Sequence, residues 1–169
     1  RKGGGAASRL TVAPPVRIPR YKVPMPSSAP GNVAAAVERI RRRLGPAACL
    51  EAPQDVAPFV VDFRGLYRGA TPLVACPAST ADVAAVLATC NELGVAVVPH
   101  GGNTSYCGGA TPGEFGDEIV LSLRRLNRVR EVDPDNFSLS VEAGCLLADV
   151  QAAAEAVDRF FPLSLGSEG

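Results

Sequence analysis

The densest run of residues able to hold a ligand is the segment PHGGNTSYCGG, Pro99 to Gly109, placed directly after the apolar run Val95 to Val98. Gly101 and Gly102 lack side chains, so their backbone can take positive φ and approach a ligand to contact distance. Successive amide N–H groups in such a turn form a concave nest that suits an anion. Asn103, Thr104 and Ser105 add short donors that can bond a phosphate oxygen without crowding it. Gly108 and Gly109 let the chain turn back close to the same ligand, an arrangement suited to a diphosphate held mainly by main-chain dipoles. The competing reading is a glycine-rich surface loop with no ligand, because glycine and asparagine are common turn formers. The density of small donors favours the ligand, as does the place at a strand end, where ligands of parallel sheets sit. No Gly-Lys-Ser/Thr follows and the GxGxxG fingerprint is missing, so nucleotide triphosphate hydrolysis loses its main support.

Other chemistries find less in the sequence. The five cysteines are odd in number, widely spaced and without a CxxC pair, and the chain has a single histidine, so a zinc site of the Cys/His kind is not expected. Unpaired thiols suit a reducing interior, and cytoplasm is the default compartment. Cys107 reads as a small buried hydrophobe rather than a reactive thiol. Asp62, Glu92, Asp117 and Glu142 show no partner arrangement and read as solvated surface carboxylates, so no residue is nominated as catalytic acid or base. The 17 basic and 17 acidic side chains cancel, which argues against a nucleic-acid footprint. No apolar run approaches the roughly 20 residues needed to cross a bilayer as a helix. With 169 residues, 47% of them hydrophobic, the chain has the size of one domain or slightly more and can be stabilised by packing alone.

The loop needs elements to position it. Arg1 to Gly31 reads as a disordered basic tail, with six Lys or Arg, no acid and prolines at 14, 15, 19, 24, 26 and 30. Its basic, acid-free composition also suits the remnant of an organelle transit peptide. Met25, the only methionine, marks an alternative translation start. Residues 32–62 form a helical lead-in: Val33, Ala36, Val37, Ile40 and Leu44 repeat at helical spacing until Gly45 and Pro46 stop them. Arg41 to Arg43 complement the dipole at that helix end and face solvent. From Leu73 a βαβ unit is expected: a strand to Cys76, a helix capped by Ser79 and Asp82 and closed by Gly94, then a strand Val95 to Val98. Its strands should be parallel and buried on both faces. Beyond the long loop, strands are expected at Ile119 to Leu123, Arg128 to Val132 and Ser138 to Glu142. A helix from Leu147 to Val157 follows, and Phe160 to Leu163 is expected as a last strand. The architecture is mixed α/β.

From about Phe63 to Gly169 the sequence resembles the FAD-binding domain of the vanillyl-alcohol oxidase, or PCMH, type. The resemblance lies in FRGLYRGATPLVACPAST (Phe63 to Thr80), VVPHGGNTSYCGGATP (Val97 to Pro112), LSLRRLNRVREVD (Leu121 to Asp133), VEAG (Val141 to Gly144) and FPLSLGSEG (Phe161 to Gly169). Within that family these motifs are most similar to the D-lactate, glycolate and D-2-hydroxyglutarate dehydrogenases. The resemblance implies a small parallel βαβ sheet with a second mixed or antiparallel sheet, and FAD as cofactor. Gly101 to Ser105 would wrap its diphosphate, Gly108 and Gly109 would continue the loop, and Pro99 and His100 would stand with them among the cofactor-binding residues. Pro77 would lie near the adenine, Glu142 to Gly144 would line the inner wall, and Leu165, Gly166 and Ser167 would approach the flavin. His100 stands where relatives often carry Gln or Arg. Members that attach flavin covalently through this loop place their His after the glycine pair, which speaks against covalent attachment here. His100 is then a hydrogen-bonded loop residue or a flavin contact.

In the family the chain continues into a second glycine pair and a substrate domain, so residues 63–169 would be the N-terminal part of the FAD domain and the catalytic half would lie beyond. The implied protein oxidises a D-2-hydroxy acid by hydride transfer to FAD and passes electrons to an acceptor the sequence does not name. It has neither nucleic-acid partner nor transmembrane segment, and a homodimer is left open. The alternatives are a noncatalytic nucleotide- or phosphate-binding module and a flavin oxidase of alcohols or sugars. Mitochondria are the alternative compartment.

Overall fold

The computed structural model describes residues 28–166, and an apolar stripe lies near their start. The expected tail therefore lies almost wholly outside the described residues. Helix α1 spans Pro30–Leu44, two residues earlier than expected, because Pro30 takes a first-turn position where its missing N–H costs nothing. Val33, Ala36 and Ile40 are buried along one side. Arg41 to Arg43 occupy the last turn, and each carries an ion pair: Arg41 with Glu38 and Glu51, Arg42 with Glu38, and Arg43 with Asp82 at 2.9 Å.

Strand β1 (Cys49–Leu50) and the short helix α2 (Pro53–Val56) follow, leading to a 3-10 turn at Ala57–Phe59. Strand β2 is Val74–Ala75, and helix α3 runs from Thr80 to Leu93. The cap of α3 is the one its sequence advertises: Ser79 Oγ accepts from the Asp82 N–H at 3.1 Å and donates to the Asp82 carboxylate at 2.8 Å. Gly94 closes the helix in the left-handed region at φ 64°.

Strands β3 (Ala96–His100) and β4 (Glu118–Ser122) complete a four-stranded sheet in the order β1-β2-β4-β3. The strands flanking α3 are parallel as expected, but β4 lies between them and pairs with both. Of these two strands the expectation of burial on both faces holds for β2 only, while the intervening β4 is buried along most of its length. Strand β3 is half-buried along most of its length because it forms the sheet's margin. That position also explains Pro99. The His100 carbonyl accepts from the Leu123 N–H at 3.0 Å, so the neighbouring Pro99 turns its backbone away from β4, where no hydrogen is required.

Residues alternate across this sheet. One face sends Leu73, Ala75, Ile119 and Leu121 against α1 and α3, and the other sends Val74, Cys76 and Val120 against Val56 and Phe59. A second sheet is the antiparallel pair β5 (Val129–Asp133) and β6 (Ser138–Val141), followed by helix α4 (Leu147–Glu155). Phe160 to Leu163 is not a strand: no described strand lies beside it to take its backbone groups, and Phe160 is 85% exposed.

Candidate functional site

Parallel pairing puts the C-terminal ends of β2, β3 and β4 on one edge, so Cys76 and Pro77, His100 and Gly101, and Ser122 and Leu123 come together there. The segment from Gly101 to Asp117 leaves from that edge and rests on a platform built by residues 60–70. In the platform the buried Asp62 carboxylate accepts the Tyr67 N–H at 2.6 Å and the Arg64 N–H at 3.1 Å. Those bonds, Tyr67 first, hold its pKa below the usual carboxylate range. Loop and platform touch backbone to backbone: the Ala70 N–H donates to the Gly113 carbonyl at 2.8 Å, and a Cβ on Gly69 would lie 1.8 Å from the Pro112 oxygen.

The glycine loop divides its groups between internal ties and open ones. Asn103 sits at φ 56°, and its Nδ2 donates to the Val61 carbonyl at 2.8 Å, so its side chain anchors the loop instead of facing a ligand. Ser105 Oγ accepts the Cys107 N–H at 3.2 Å. Gly108, at φ 67°, is required by Tyr67, whose ring would meet an added Cβ at 2.7 Å. In contrast, Gly101 and Gly109 would present a Cβ to open space, and at Gly102 an added Cβ would meet only Thr104 Cγ2 at 3.8 Å. Neither Gly101 nor Gly102 adopts positive φ, contrary to expectation; the left-handed residues here are Asn103 and Gly108. Among the described residues, the N–H groups of Gly101 to Ser105 spend no hydrogen bond on the protein. Five consecutive donors with nothing to give to, on an exposed strand-end loop, fit an anionic group such as a diphosphate. Arg124, just beyond β4 with its guanidinium 5.3 Å above the Phe59 ring, adds positive charge at the same edge.

His100 is buried beneath this loop, its ring centroid 4.8 Å from that of Phe59. Burial, more than the nearby Arg124 charge, pushes its pKa below the ordinary histidine value, so the ring is neutral at neutral pH. Pro77 is fully buried at the end of β2. Gly144 serves close packing: an added Cβ would lie 2.1 Å from the Leu123 carbonyl oxygen. Leu165 and Gly166 are exposed at the end of the described chain, and Ser167 lies outside the described residues.

Three expectations are corrected. Cys107 is exposed, in a turn whose flanking residues Tyr106 and Gly108 are the ones that meet Arg64 and Tyr67 of the platform. Asp62 and Glu142 are buried rather than solvated, each holding several donors. Arg128 bonds Glu142 through its guanidinium at 2.8 Å and its own N–H at 3.1 Å, Arg130 adds a contact at 3.3 Å, and together they pull the Glu142 pKa down to about 2. The missed signals are the Asp-x-x-Gly turn at Asp62 to Gly65 and the close pair of arginines at 128 and 130, both of whose guanidinia reach Glu142.

Comparison with known proteins sets this geometry in context. The family model described as "FAD binding domain" matches residues 71–169. The D-2-hydroxyglutarate–pyruvate transhydrogenase of Saccharomyces cerevisiae is 40% identical over 117 residues, covering 69% of this chain and 23% of that protein. The mitochondrial D-2-hydroxyglutarate dehydrogenase of Bos taurus is 32% identical over 155 residues, covering 92% of this chain and 27% of that protein. The chain thus spans about a quarter of the length of these relatives. Among solved structures, p-cresol methylhydroxylase with substrate bound superimposes with a TM-score of 0.65 at 21% identity, covering 77% of this chain and 26% of that one. That likeness shows the fold, which is the PCMH-type arrangement expected from the sequence. An anion-ready loop at the edge of a parallel sheet, a PCMH-type fold and the matched residues together place this chain in the FAD-binding domain family.

Proposed function

We propose that this chain binds and orients FAD for a flavin-dependent oxidoreductase acting on a D-2-hydroxy acid. The observation that carries the reading is the row of unspent main-chain donors from Gly101 to Ser105 at the C-terminal edge of β3. Bound there, FAD supplies the two-electron acceptor for a hydride leaving the substrate carbon. The residues of this chain do the holding. Amides of Gly101 to Ser105 meet the diphosphate, Arg124 lowers the cost of bringing two negative charges to the edge, and Gly101, Gly102 and Gly109 keep the approach clear. Pro77, Pro99, Gly144, Leu165, Gly166 and Ser167 belong to the proposed cofactor wall on the strength of the family resemblance.

The names of the Saccharomyces and Bos relatives support the substrate class. The word mitochondrial in the Bos name, with the basic and acid-free N-terminal segment, supports a mitochondrial location over the cytoplasmic default. The test is to purify the protein at its natural length, record its flavin absorption band, and offer a panel of D-2-hydroxy acids with an artificial electron acceptor. Flavin-coloured protein that reduces the acceptor with a D-2-hydroxy acid is the expected result. Colourless protein that binds another nucleotide would point to a noncatalytic module, and turnover of sugars or alcohols alone would overturn the substrate class.

A further inference from the structure

We propose that His100 is a positioning residue of the diphosphate loop: by holding the Gly101 carbonyl inward it turns the Gly102 N–H outward, toward the ligand. The inference rests on the FAD reading above. His100 Nδ1 lies 3.0 Å from the Gly101 carbonyl oxygen. A carbonyl carries no proton, so Nδ1 is the donor, and in the neutral ring Nε2 holds the lone pair. A trans peptide sets each C=O opposite the N–H that follows it, and the described residues contain no cis peptide. Fixing the Gly101 oxygen against a buried imidazole therefore fixes the Gly102 N–H on the far side of that peptide plane. Open space lies around Gly102, and its N–H has no partner among the described residues.

The ring is itself immobilised. It is 6% exposed, packs on Phe59, and belongs to a residue whose own carbonyl is locked to β4 through the Leu123 N–H. Nε2 is buried with no hydrogen-bond partner, so the bond at Nδ1 is the only polar contact the side chain makes among the described residues. A buried ring kept with one unsatisfied nitrogen needs a reason. Two consecutive glycines supply it, because their shared peptide can flip at little cost and a donor that flips is not preorganised for an anion.

The test compares His100→Leu with His100→Asn in the natural-length protein stripped of flavin, by titrating FAD and following quenching of its fluorescence. Both variants lose the ring and its contact with Phe59, so packing loss is shared. Only Asn restores an N–H the same number of bonds from Cβ. Expected is tight FAD binding by the wild type and by His100→Asn, with the Leu variant about tenfold weaker or worse, the size of a hydrogen bond serving a charged group. Equal affinities in the two variants, or failure of both to fold, would assign the ring to packing and overturn the proposal. Wild type that fails to bind FAD would bring down the FAD reading itself, whereas wild type that binds FAD beside an unaffected Leu variant strikes the inference alone.

Discussion

At Gly102 the case for glycine is one of clearance. The residue does not adopt positive φ, and a Cβ there meets nothing closer than Thr104 Cγ2 at 3.8 Å, so Gly102→Val should leave the melting temperature nearly unchanged. The branched side chain would nevertheless stand over the neighbouring N–H groups, and flavin occupancy of the purified protein should collapse. Unaltered absorption by bound flavin in that variant would remove Gly102 from the contact surface. Glu142 makes a different prediction. Its pKa falls from the ordinary 4.5 to about 2, through Arg128 first, so the native state favours the charged form. The resulting stability is fully present above pH 4.5 and is lost as acid brings the pH through about 2. Glu142→Gln should lower the melting temperature at neutral pH and flatten its decline across that acid window, which a series of thermal melts in buffers of falling pH would read. Asp62 and Glu142 are also where reading from sequence failed. A carboxylate looks solvated until its donors are known, and the Glu142 guanidinia sit 12 and 14 residues away in sequence, across a hairpin.

Elements were more legible than residues. The extent of α3 follows from local chemistry, since the Ser79 and Asp82 cap and the left-handed Gly94 are short-range decisions. The same holds for the turn at Asp133, whose Oδ1 accepts the N–H groups of Asp135 and Asn136 at 3.1 and 3.0 Å. Sheet order was not legible in this way, because β4 enters between β2 and β3 by non-local pairing that neither strand advertises. The platform under the glycine loop was missed for a related reason. Residues 60–70 carry little apolar periodicity, and they are tied to a loop more than 40 positions away by the Ala70 N–H on the Gly113 carbonyl and the Asn103 side-chain amide on the Val61 carbonyl. Gly69→Ala tests that platform: its Cβ would collide with the Pro112 carbonyl, which cannot rotate aside, so a loss of about 3 kcal/mol is expected. Chemical denaturation would measure it, and a loss below about 0.5 kcal/mol would show that the two backbones separate easily.

The whole molecule is organised around β4. Ile119 and Val120 are wholly buried on opposite faces of the sheet, one against α1 and α3 and the other against Val56 and Phe59. Ile119→Ala should cost about 2–5 kcal/mol, because the close-packed neighbours on its face cannot collapse into the space left. Since β4 also leads Ser122 and Leu123 to the edge proposed for FAD, part of that cost should appear as weaker flavin retention in calorimetric titration of the folded variant. The opposite border of this sheet has its own consequence. Pro99 turns outward from β3 and has no amide hydrogen, so a second chain laid alongside would find its ladder interrupted beside the cofactor loop. Pro99 thereby blunts this margin of the sheet against edge-to-edge pairing with a second copy.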